Sequence, residues 1–326
     1  MESLKVFFLS QMHCTGEHGK AAKYLREAMD IEAYAGCTGP QNYLRYANDM
    51  GYGMVKRDVE SGVKWCDCLV LEEGLPADYG FIASDLEGKV VVRDSHGTFT
   101  RRNSVAIGLG VRAQGIHEIY RTSDLRDYCS PGANYIPCSI DFADRLFHRQ
   151  RVEQKFTVES TEALFISHAP TNREAKGTRI LYEAVVNPRY AMPDTMVQII
   201  EGQPNSRCLF ERRNHKIYFD QIADGRYHGY FGVIGVAGIE AAAMMQVVLG
   251  NFKVNVDTEP MPCVEGMLLN DADGLSEILI RLRENHEYLY EMAKSWYEWA
   301  EKYRNRAMIT KEFYKWMCHR SPCLSA

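Results

Sequence analysis

Four residues with a spacing suited to ligand binding lie in the segment GYFGVIGVAGIEAAAMMQVVL. Gly232, Gly235 and Gly238 recur every third residue, and Glu240 follows two positions later, ahead of an Ala- and Met-rich helix and a short apolar strand. Glycines that open a helix let a ligand approach the backbone, and the N–H groups at a helix start attract anions. An ionised glutamate can accept two hydrogen bonds from a diol. The segment therefore predicts a sugar–phosphate ligand, most simply a nucleotide, although spaced glycines also occur where a helix only packs closely on a strand.

The first 140 residues predict the sheet that would accompany such a site. KVFFLS (5–10) has the pattern of a buried strand and leads through a loop containing Gly16 and Gly19 into an amphipathic helix. Further strand candidates follow at 68–72, 89–96, 118–123 and 134–140. Strands that alternate with helical or loop segments predict a parallel sheet covered on both faces.

A second alternation of strands and helices begins after a change in composition. Residues 137–154 lose the apolar pattern and become charged, which predicts a linker. Beyond it lie strand candidates at 163–170, 195–202 and 215–222 and a helix candidate at 178–187. From Gly274 onward the apolar residues recur at helical spacing, which indicates a helical core.

These patterns divide the 326 residues into two domains and a tail. We predict an N-terminal Rossmann-like domain at 1–150, a second Rossmann-like domain at 151–300 and a helical tail at 301–326. The tail is aromatic and basic, which is compatible with a nucleic-acid-binding arm, but packing back across the domains is favoured.

Composition excludes several classes of protein. The net charge of −5 gives no support for broad electrostatic binding to nucleic acid or to an anionic membrane. The ten cysteines include no CxxC pair, so neither a zinc ribbon nor a thioredoxin-type centre is expected. There is no signal-peptide pattern, and no stretch reaches the roughly 18 apolar residues of a membrane helix. We expect a cytoplasmic protein without integral membrane association.

Four segments, in this order along the chain, carry motifs that recur together in one enzyme family. They are RDSHGTFTRRN (93–103), RTSDLRDYCSPGANYIPCSID (121–141), HAPTNREAKGTRILYEAV (168–185) and the glycine segment described above. Together they resemble GT-B glycosyltransferases of the retaining, glycogen-synthase-like group. The resemblance implies an α/β fold with two Rossmann-like domains facing across a cleft and a helical C-terminal tail.

The resemblance assigns roles in binding a nucleotide-sugar donor. Lys176 matches the family lysine that contacts the diphosphate, and Arg173 is a candidate in the same loop. Glu240 matches the glutamate that binds the ribose hydroxyls. The family has a partner glutamate that helps to place the transferred sugar, and Gly232 replaces it here. Backbone groups at Gly232 would take over its role. Gly235 is assigned to the same site.

In the first domain, His96 matches a histidine near the reacting centre, where it would face the donor sugar or the acceptor oxygen. Gly16 and Gly19 lie in the loop that approaches the diphosphate in this fold. Without the resemblance, His96 would be interpreted as a hydrogen-bonded histidine at a strand end, and the two glycines as turn residues. Met245 and Val247 replace a glycine and a proline of the family pattern, which marks this sequence as a divergent member.

The resemblance implies a metal-independent enzyme that transfers a hexose from a nucleotide-diphosphate sugar, UDP-glucose or a close relative. It also implies transfer with retention, which is the stereochemistry of the family. No cofactor is expected beyond this donor substrate. Two acceptor classes remain open: a glycan or lipid-linked saccharide, and a hydroxymethylated base in DNA. A protein that binds a nucleotide sugar without transferring it is a further alternative. An NAD-dependent enzyme is disfavoured because no GxGxxG follows the first strand.

Overall fold

A computed structural model describes residues 4–11, 16–39, 53–157, 163–190, 192, 194–222, 233–252, 259–262 and 271–321, without the side chains of residues 97–99, 101, 102 and 124. The chain forms two compact units: Met1–Ser139 together with Arg306–Ala326, and Ile140–Asn305. The first unit thus ends at Ser139 rather than at 150, and it includes the C-terminal residues from Arg306 onward.

The described residues form strands and helices in alternation. The strands are β1 (Val6–Ser10), β2 (Ala33–Cys37), β3 (Cys68–Glu72), β4 (Val90–Ser95), β5 (His117–Tyr120), β6 (Asn134–Tyr135), β7 (Leu164–His168), β8 (Thr195–Ile199), β9 (Ile217–Gln221) and β10 (Val247–Gly250). The helices are α1 (Glu17–Met29), α2 (Lys56–Trp65), α3 (Gly97–Ala113), α4 (Arg149–Thr157), α5 (Thr178–Val185), α6 (Asn205–Arg212), α7 (Val236–Ala243), α8 (Ala272–Glu284), α9 (His286–Tyr303) and α10 (Arg306–Cys318). Short 3-10 turns lie at Pro76–Tyr79, Ala83–Leu86 and Ser123–Tyr128.

The first unit contains a parallel sheet in the order β2-β1-β3-β4-β5-β6. Alternate residues of its strands point to opposite faces, and each face has its own apolar core. On one face the core includes residues of α1 and α10, among them Leu25, Phe313 and Met317. On the other face it includes residues of α2 and α3, among them Val63 and Ile107. Helices on both faces explain why β1 and β3 are buried along their whole length.

The second unit contains a smaller parallel sheet in the order β10-β9-β7-β8. Helix α7 contacts β9 and β10, α5 contacts α8, and α9 contacts α7 and β10. The apolar stripe predicted from Gly274 onward corresponds to α8 and α9, where Leu279, Leu289 and Trp296 are buried. Both units are therefore parallel α/β structures, as the sequence predicts.

The structure differs from the predicted elements at two places in the first sheet. The strand expected at 134–140 pairs with β5 only at Asn134 and Tyr135, because Pro137 has no N–H to donate to a ladder. Strand β2 was not among the predicted strands; its sequence AYAGC is short and contains a glycine. None of the helices in the described part of the chain combines the length and apolar character needed to cross a membrane.

Candidate functional site

Strand β4 ends in polar residues that alternate between the two faces of the first sheet. Val92 belongs to the core on the α1 side, so Asp94 lies on that face, whereas Arg93 lies with Val91 on the α3 side. Both Arg93 and Asp94 are fully buried. A buried charge is costly unless it is paired and hydrogen-bonded, so each of these residues needs partners.

Asp94 is the centre of a group that we call the first-sheet edge: His18, Glu72, Asp94, His96 and Arg121. Arg121 Nε donates to both carboxylate oxygens of Asp94 at 2.8 Å. His18 Nε2 lies 3.1 Å from Asp94 Oδ2, and His96 Nε2 lies 3.4 Å from Asp94 Oδ1. Burial alone would raise the pKa of Asp94, but Arg121 and His96 hold it well below its usual range. The carboxylate is therefore ionised.

His96, which follows β4, carries a positive charge near neutral pH. Its side chain is 9% exposed, and Nε2 lies 3.7 Å from Glu72 Oε1 as well as close to Asp94. Burial favours the neutral imidazole, but the neighbouring carboxylates, Asp94 above all, raise the pKa to about 9. An imidazolium in this position can donate hydrogen bonds to a sugar or acceptor oxygen.

Gly16 and Gly19 begin helix α1 on either side of His18. Gly16 precedes the helix in the left-handed conformation, with φ of 69°, and Gly19 is buried in the first turn. Between them, Glu17 accepts hydrogen bonds from the Ser139 amide at 2.9 Å and from its hydroxyl at 3.0 Å. The structure thus connects the predicted glycine loop to His96 through His18 and Asp94, while residues 12–15 of that loop lie outside the described part of the chain.

The first-sheet edge also contains groups that could hold a metal ion. In the part of the chain that the structure describes, ligand atoms of His18, Asp94 and His96 lie within 4.8 Å of one another. Arg121, however, donates from Nε to both oxygens of Asp94. A guanidinium bound to the only carboxylate of the triad already supplies the positive charge that a cation would bring, so the donor set favours an ion pair over a metal site.

On the opposite face of the sheet, Arg93 joins the turn after β3 to the start of α3. It donates from Nε to the Glu73 carbonyl at 2.9 Å and from Nη2 to Thr100 Oγ1 at 2.9 Å. Glu73 accepts from the Thr100 hydroxyl at 2.6 Å and from the backbone N–H of His96. Arg93 also pairs with Glu118 at 2.5 Å. This network fixes the backbone that carries His96.

In the second unit, His168 ends β7 and is part of the sheet's hydrogen bonding. Its Nδ1 lies 2.8 Å from the Phe219 carbonyl oxygen and its Nε2 lies 2.8 Å from Thr178 Oγ1. Burial lowers its pKa to about 4, with a further contribution from Lys176. His168 is therefore neutral, and it fastens β7 to β9 and to the start of α5.

Lys176 lies in the turn that precedes α5, beside the carboxyl end of β9. Its ammonium nitrogen Nζ lies 2.5 Å from Gln221 Oε1 and 3.8 Å from Asp220 Oδ1, and its side chain is 15% exposed. A Cβ at Gly235 would lie 3.2 Å from Lys176 Nζ. We call the group formed by His168, Lys176, Asp220, Gln221 and Gly235 the second-sheet edge. It brings the predicted lysine to the predicted glycine segment.

The start of α7 differs from the free anion-binding terminus that the glycine spacing suggests. Gly235 donates its N–H to Asp220 Oδ2 at 2.6 Å. A Cβ at Gly238 would lie 3.0 Å from the Asp220 carboxylate and 2.7 Å from Ile234 Cγ1. Close packing and a buried carboxylate thus account for Gly235 and Gly238. Gly232, which was assigned to the donor site, lies outside the described residues.

Glu240 is buried in α7 and is held by two side chains from α6. Asn205 Nδ2 donates to Oε1 at 2.9 Å, and Arg212 Nη2 donates to Oε2 at 2.5 Å. Arg212 is itself buried and also donates to the Ala237 carbonyl at 2.8 Å. A carboxylate oxygen accepts more than one hydrogen bond, so the Oε1 that Asn205 contacts keeps capacity for a ligand hydroxyl.

Arg173 lies apart from Lys176 although both belong to the same turn. Its side chain is 59% exposed and pairs with Glu201, with Nε at 2.8 Å from Oε1 and Nη2 at 2.6 Å from Oε2. The guanidinium that the sequence assigns to the diphosphate is therefore paired with Glu201.

Sequence reasoning missed the partners of the assigned residues. These are His18, Asp94 and Arg121 in the first unit and Asn205, Arg212, Asp220 and Gln221 in the second. Two of the missed groups had a usable signal, since RDS follows the apolar run VVV and DQ follows IYF. Polar residues at the carboxyl end of a buried parallel strand are placed where ligands bind in open α/β sheets.

No family model matches the chain, and no curated protein is similar to it in sequence. Its structure is similar to solved structures over nearly the whole length. The UDP-glucose complex of HepE from Anabaena superposes with a TM-score of 0.67 at 12% identity, covering 96% of this chain and 99% of that chain. A glycosyltransferase from Rickettsia africae ESF-5 gives a TM-score of 0.62 at 12% identity, covering 97% and 99%.

WaaG, a glycosyltransferase involved in lipopolysaccharide biosynthesis, gives a TM-score of 0.60 at 11% identity and covers 96% of this chain and 99% of that chain. The chain therefore has the fold of these two-unit α/β glycosyltransferases. The predicted GT-B fold, with its helical C-terminal segment, is confirmed.

Proposed function

We propose that this protein is a glycosyltransferase that takes its sugar from a nucleoside diphosphate sugar, with UDP-glucose as the first candidate. The observation that carries the proposal is the position of the Lys176 ammonium, next to Gly235, the residue that precedes helix α7. A departing nucleoside diphosphate builds up negative charge, and a fixed cation stabilises it. The HepE structure, which contains UDP-glucose, supports the choice of donor.

In this proposal each assigned residue has a distinct task. Lys176 binds the diphosphate, and Glu240 accepts hydrogen bonds from the ribose hydroxyls beside Asn205. His96 donates a hydrogen bond to the transferred sugar or to the acceptor oxygen, for which its raised pKa suits it. Arg173 contributes at longer range unless it leaves Glu201.

The reaction we propose proceeds with retention and without a metal ion. The bond between the anomeric carbon and the diphosphate oxygen breaks, and the acceptor oxygen bonds to the same face of that carbon. The acceptor proton passes to the departing diphosphate oxygen, so the diphosphate serves as the base and no electrons are exchanged with a cofactor. The positive charge of Lys176 stabilises the departing group.

The acceptor we propose is a saccharide hydroxyl. The role of WaaG in lipopolysaccharide biosynthesis supports this class, and the net charge of −5 is poorly suited to a large DNA footprint. A duplex containing hydroxymethylated bases provides the competing acceptor in the same assay. Sugar transfer to that duplex, with affinity that falls as salt rises, would replace the saccharide proposal by the DNA one.

Donor binding is tested by thermal shift with UDP-, GDP-, ADP- and CMP-sugars on the wild type and on Glu240→Ala. We expect a shift with one nucleotide that is lost in the variant. Turnover is tested by release of the nucleoside diphosphate and by mass spectrometry of the glycosylated acceptor. Lys176→Ala should abolish turnover, while Lys216→Ala, a partly buried lysine of the same unit, should retain it. A protein that binds the donor but transfers its sugar to no acceptor would contradict the assignment as a transferase.

A further inference from the structure

Strand β9 ends in two adjacent buried polar residues that the proposed reaction has not used. Asp220 is 2% exposed and Gln221 is 1% exposed, and both lie next to the Lys176 ammonium. Buried polar side chains are retained where they are hydrogen-bonded. The hydrogen-bond partners of Asp220 and Gln221 therefore indicate which groups these two side chains hold in place.

The Gln221 side chain connects Lys176 to the segment that leads into α7. Its Oε1 accepts from Lys176 Nζ at 2.5 Å, and its Nε2 donates to the Val233 carbonyl at 2.8 Å. One amide thus fixes both the ammonium and the backbone that precedes Gly235. Because the amide is neutral, it orients the ammonium without cancelling its charge.

The Asp220 carboxylate does not form a direct hydrogen bond with the Lys176 ammonium. Its Oδ2 accepts the Gly235 N–H at 2.6 Å, whereas Oδ1 stays 3.8 Å from Lys176 Nζ. The carboxylate therefore fixes Gly235, the residue that precedes α7, and attracts the ammonium toward it. A direct contact between the two charges would leave less positive potential for a ligand.

The backbone of the lysine turn is fastened to the same strand end. Ile222 donates its N–H to the Lys176 carbonyl at 3.4 Å. Gly177 has a φ of 69°, and a Cβ there would collide with the Ile222 carbonyl oxygen. The lysine turn is therefore held against the end of β9 by a backbone hydrogen bond and by the Gln221 side chain.

We infer that Gln221, assisted by Asp220, is a positioning residue that presents the charge of Lys176 to the diphosphate of the donor. This inference rests on the proposed function. It assigns Gln221 to phosphate affinity specifically: a carboxylate in its place would pair with the ammonium and repel the diphosphate. Because the amide is neutral, it leaves the charge of Lys176 available, and that charge favours a diphosphate over the nucleoside alone.

The test compares UDP with uridine on the wild type, Gln221→Glu and Gln221→Leu by ligand-observed NMR titration. We expect Gln221→Glu to raise the Kd for UDP about tenfold or more, as expected when a partly screened charge interaction is lost, with the Kd for uridine unchanged. Gln221→Leu should raise the Kd for UDP by a smaller factor, since it removes the orienting acceptor and adds no charge.

Gln246→Glu is the matched control. Gln246 is also buried in the second unit and donates to two carbonyls, those of Arg212 and His215, at 2.7 and 2.9 Å. A change in unfolding temperature shared by both Glu variants measures loss of fold, whereas the ratio of UDP to uridine Kd should change only at position 221. An unchanged ratio in Gln221→Glu would overturn the inference and leave the proposed function intact. Absence of binding of UDP, GDP and ADP in the wild type would overturn both.

Discussion

The histidines His96 and His168 both stand at the carboxyl end of a parallel strand, yet their surroundings are opposite in charge. His96 lies near Asp94 and Glu72, and its pKa is raised to about 9. His168 lies between the Phe219 carbonyl and the Thr178 hydroxyl. Burial, with a contribution from the charge of Lys176, lowers its pKa to about 4. The same strand-end position therefore yields a cation in one unit and a neutral ring in the other.

The two strand ends therefore differ in the kind of group that each could bind. In the first-sheet edge, buried carboxylates surround the positive charges of Arg121 and His96. The His96 imidazolium can donate a hydrogen bond to a neutral oxygen. The second-sheet edge keeps its histidine neutral and its lysine next to a glutamine, which suits an anion. In the proposed reaction these properties correspond to sugar or acceptor hydroxyls and to the diphosphate.

Stability should fall most when the carboxylate of Asp94 is removed from the first-sheet edge. Asp94→Asn keeps the size of the side chain but leaves the guanidinium of Arg121 buried without its counter-ion. Breaking one partner of a buried pair costs about 3–5 kcal/mol, so we expect a loss of that order in the free energy of unfolding, measured with urea. Asp58→Asn on α2, where the side chain is 47% exposed, should change it little. A loss as small as that of the control would show that Asp94 is not held by charge.

The next effect concerns the rigid lysine turn of the second-sheet edge. Gly177→Ala forces an L side chain into a left-handed conformation and against the Ile222 carbonyl. Gly202→Ala is the matched control, since Gly202 has a φ of 63° and open space around it. We expect the control to lose about 1–2 kcal/mol from backbone strain alone and Gly177→Ala to lose more. Equal losses in urea unfolding would show that the turn does not depend on its contact with β9.

The pH dependence of stability should separate the two histidines by sign. The pKa of His96 is raised from 6.5 to about 9 on folding, so its contribution is present in full below pH 6.5 and is lost as the pH rises through about 9. The pKa of His168 is lowered from 6.5 to about 4, so its contribution is present above pH 6.5 and is lost as the pH falls through about 4. Urea unfolding of the wild type, His96→Gln and His168→Gln across this range measures both. If both substitutions change the pH dependence of the free energy of unfolding in the same direction, the two histidines do not differ in charge as described.

The smallest effect is expected at Arg173. Its exposed pair with Glu201 is screened by solvent, so Arg173→Ala should leave unfolding unchanged and alter the KM for the donor within about threefold. Steady-state kinetics of Arg173→Ala gives its KM, and titration of the donor into both variants, which does not require turnover, compares its affinity with that of Lys176→Ala. A loss in Arg173→Ala equal to that in Lys176→Ala would mean that Arg173 leaves Glu201 when the donor binds.

The fold and half of the second-sheet edge could be predicted because their signals are local. Runs such as VVV and CLVLE predict buried strands, and the placement of Lys176 before a glycine and of Gly235 before a helix follows from neighbouring residues. The partners could not be predicted in this way. Asp220 and Gln221 meet Lys176 across 44 and 45 positions of sequence, and only the sheet order β9-β7 places these strand ends side by side.

Glu240 shows the limit of a motif. The sequence places a carboxylate near the helix start, where a ribose would be expected, but it contains no sign that Arg212 and Asn205 already contact that carboxylate. Burial and pairing depend on the packing of α6 on α7, which is a property of the folded second unit. The role of Glu240 in ribose binding stays a prediction.

Helix α10 places the last part of the first core at the far end of the chain. Phe313 and Met317 lie in the same apolar core as Phe8 of β1 and Leu25 of α1, so residues separated by about 300 positions must meet before that core is complete. During synthesis at about 5–20 residues per second, β1 to β6 and the whole second unit emerge from the ribosome before α10. Until α10 is made, α1 covers that face of the first sheet without Phe313 and Met317. The core of the first unit is therefore completed after the second unit has been synthesised.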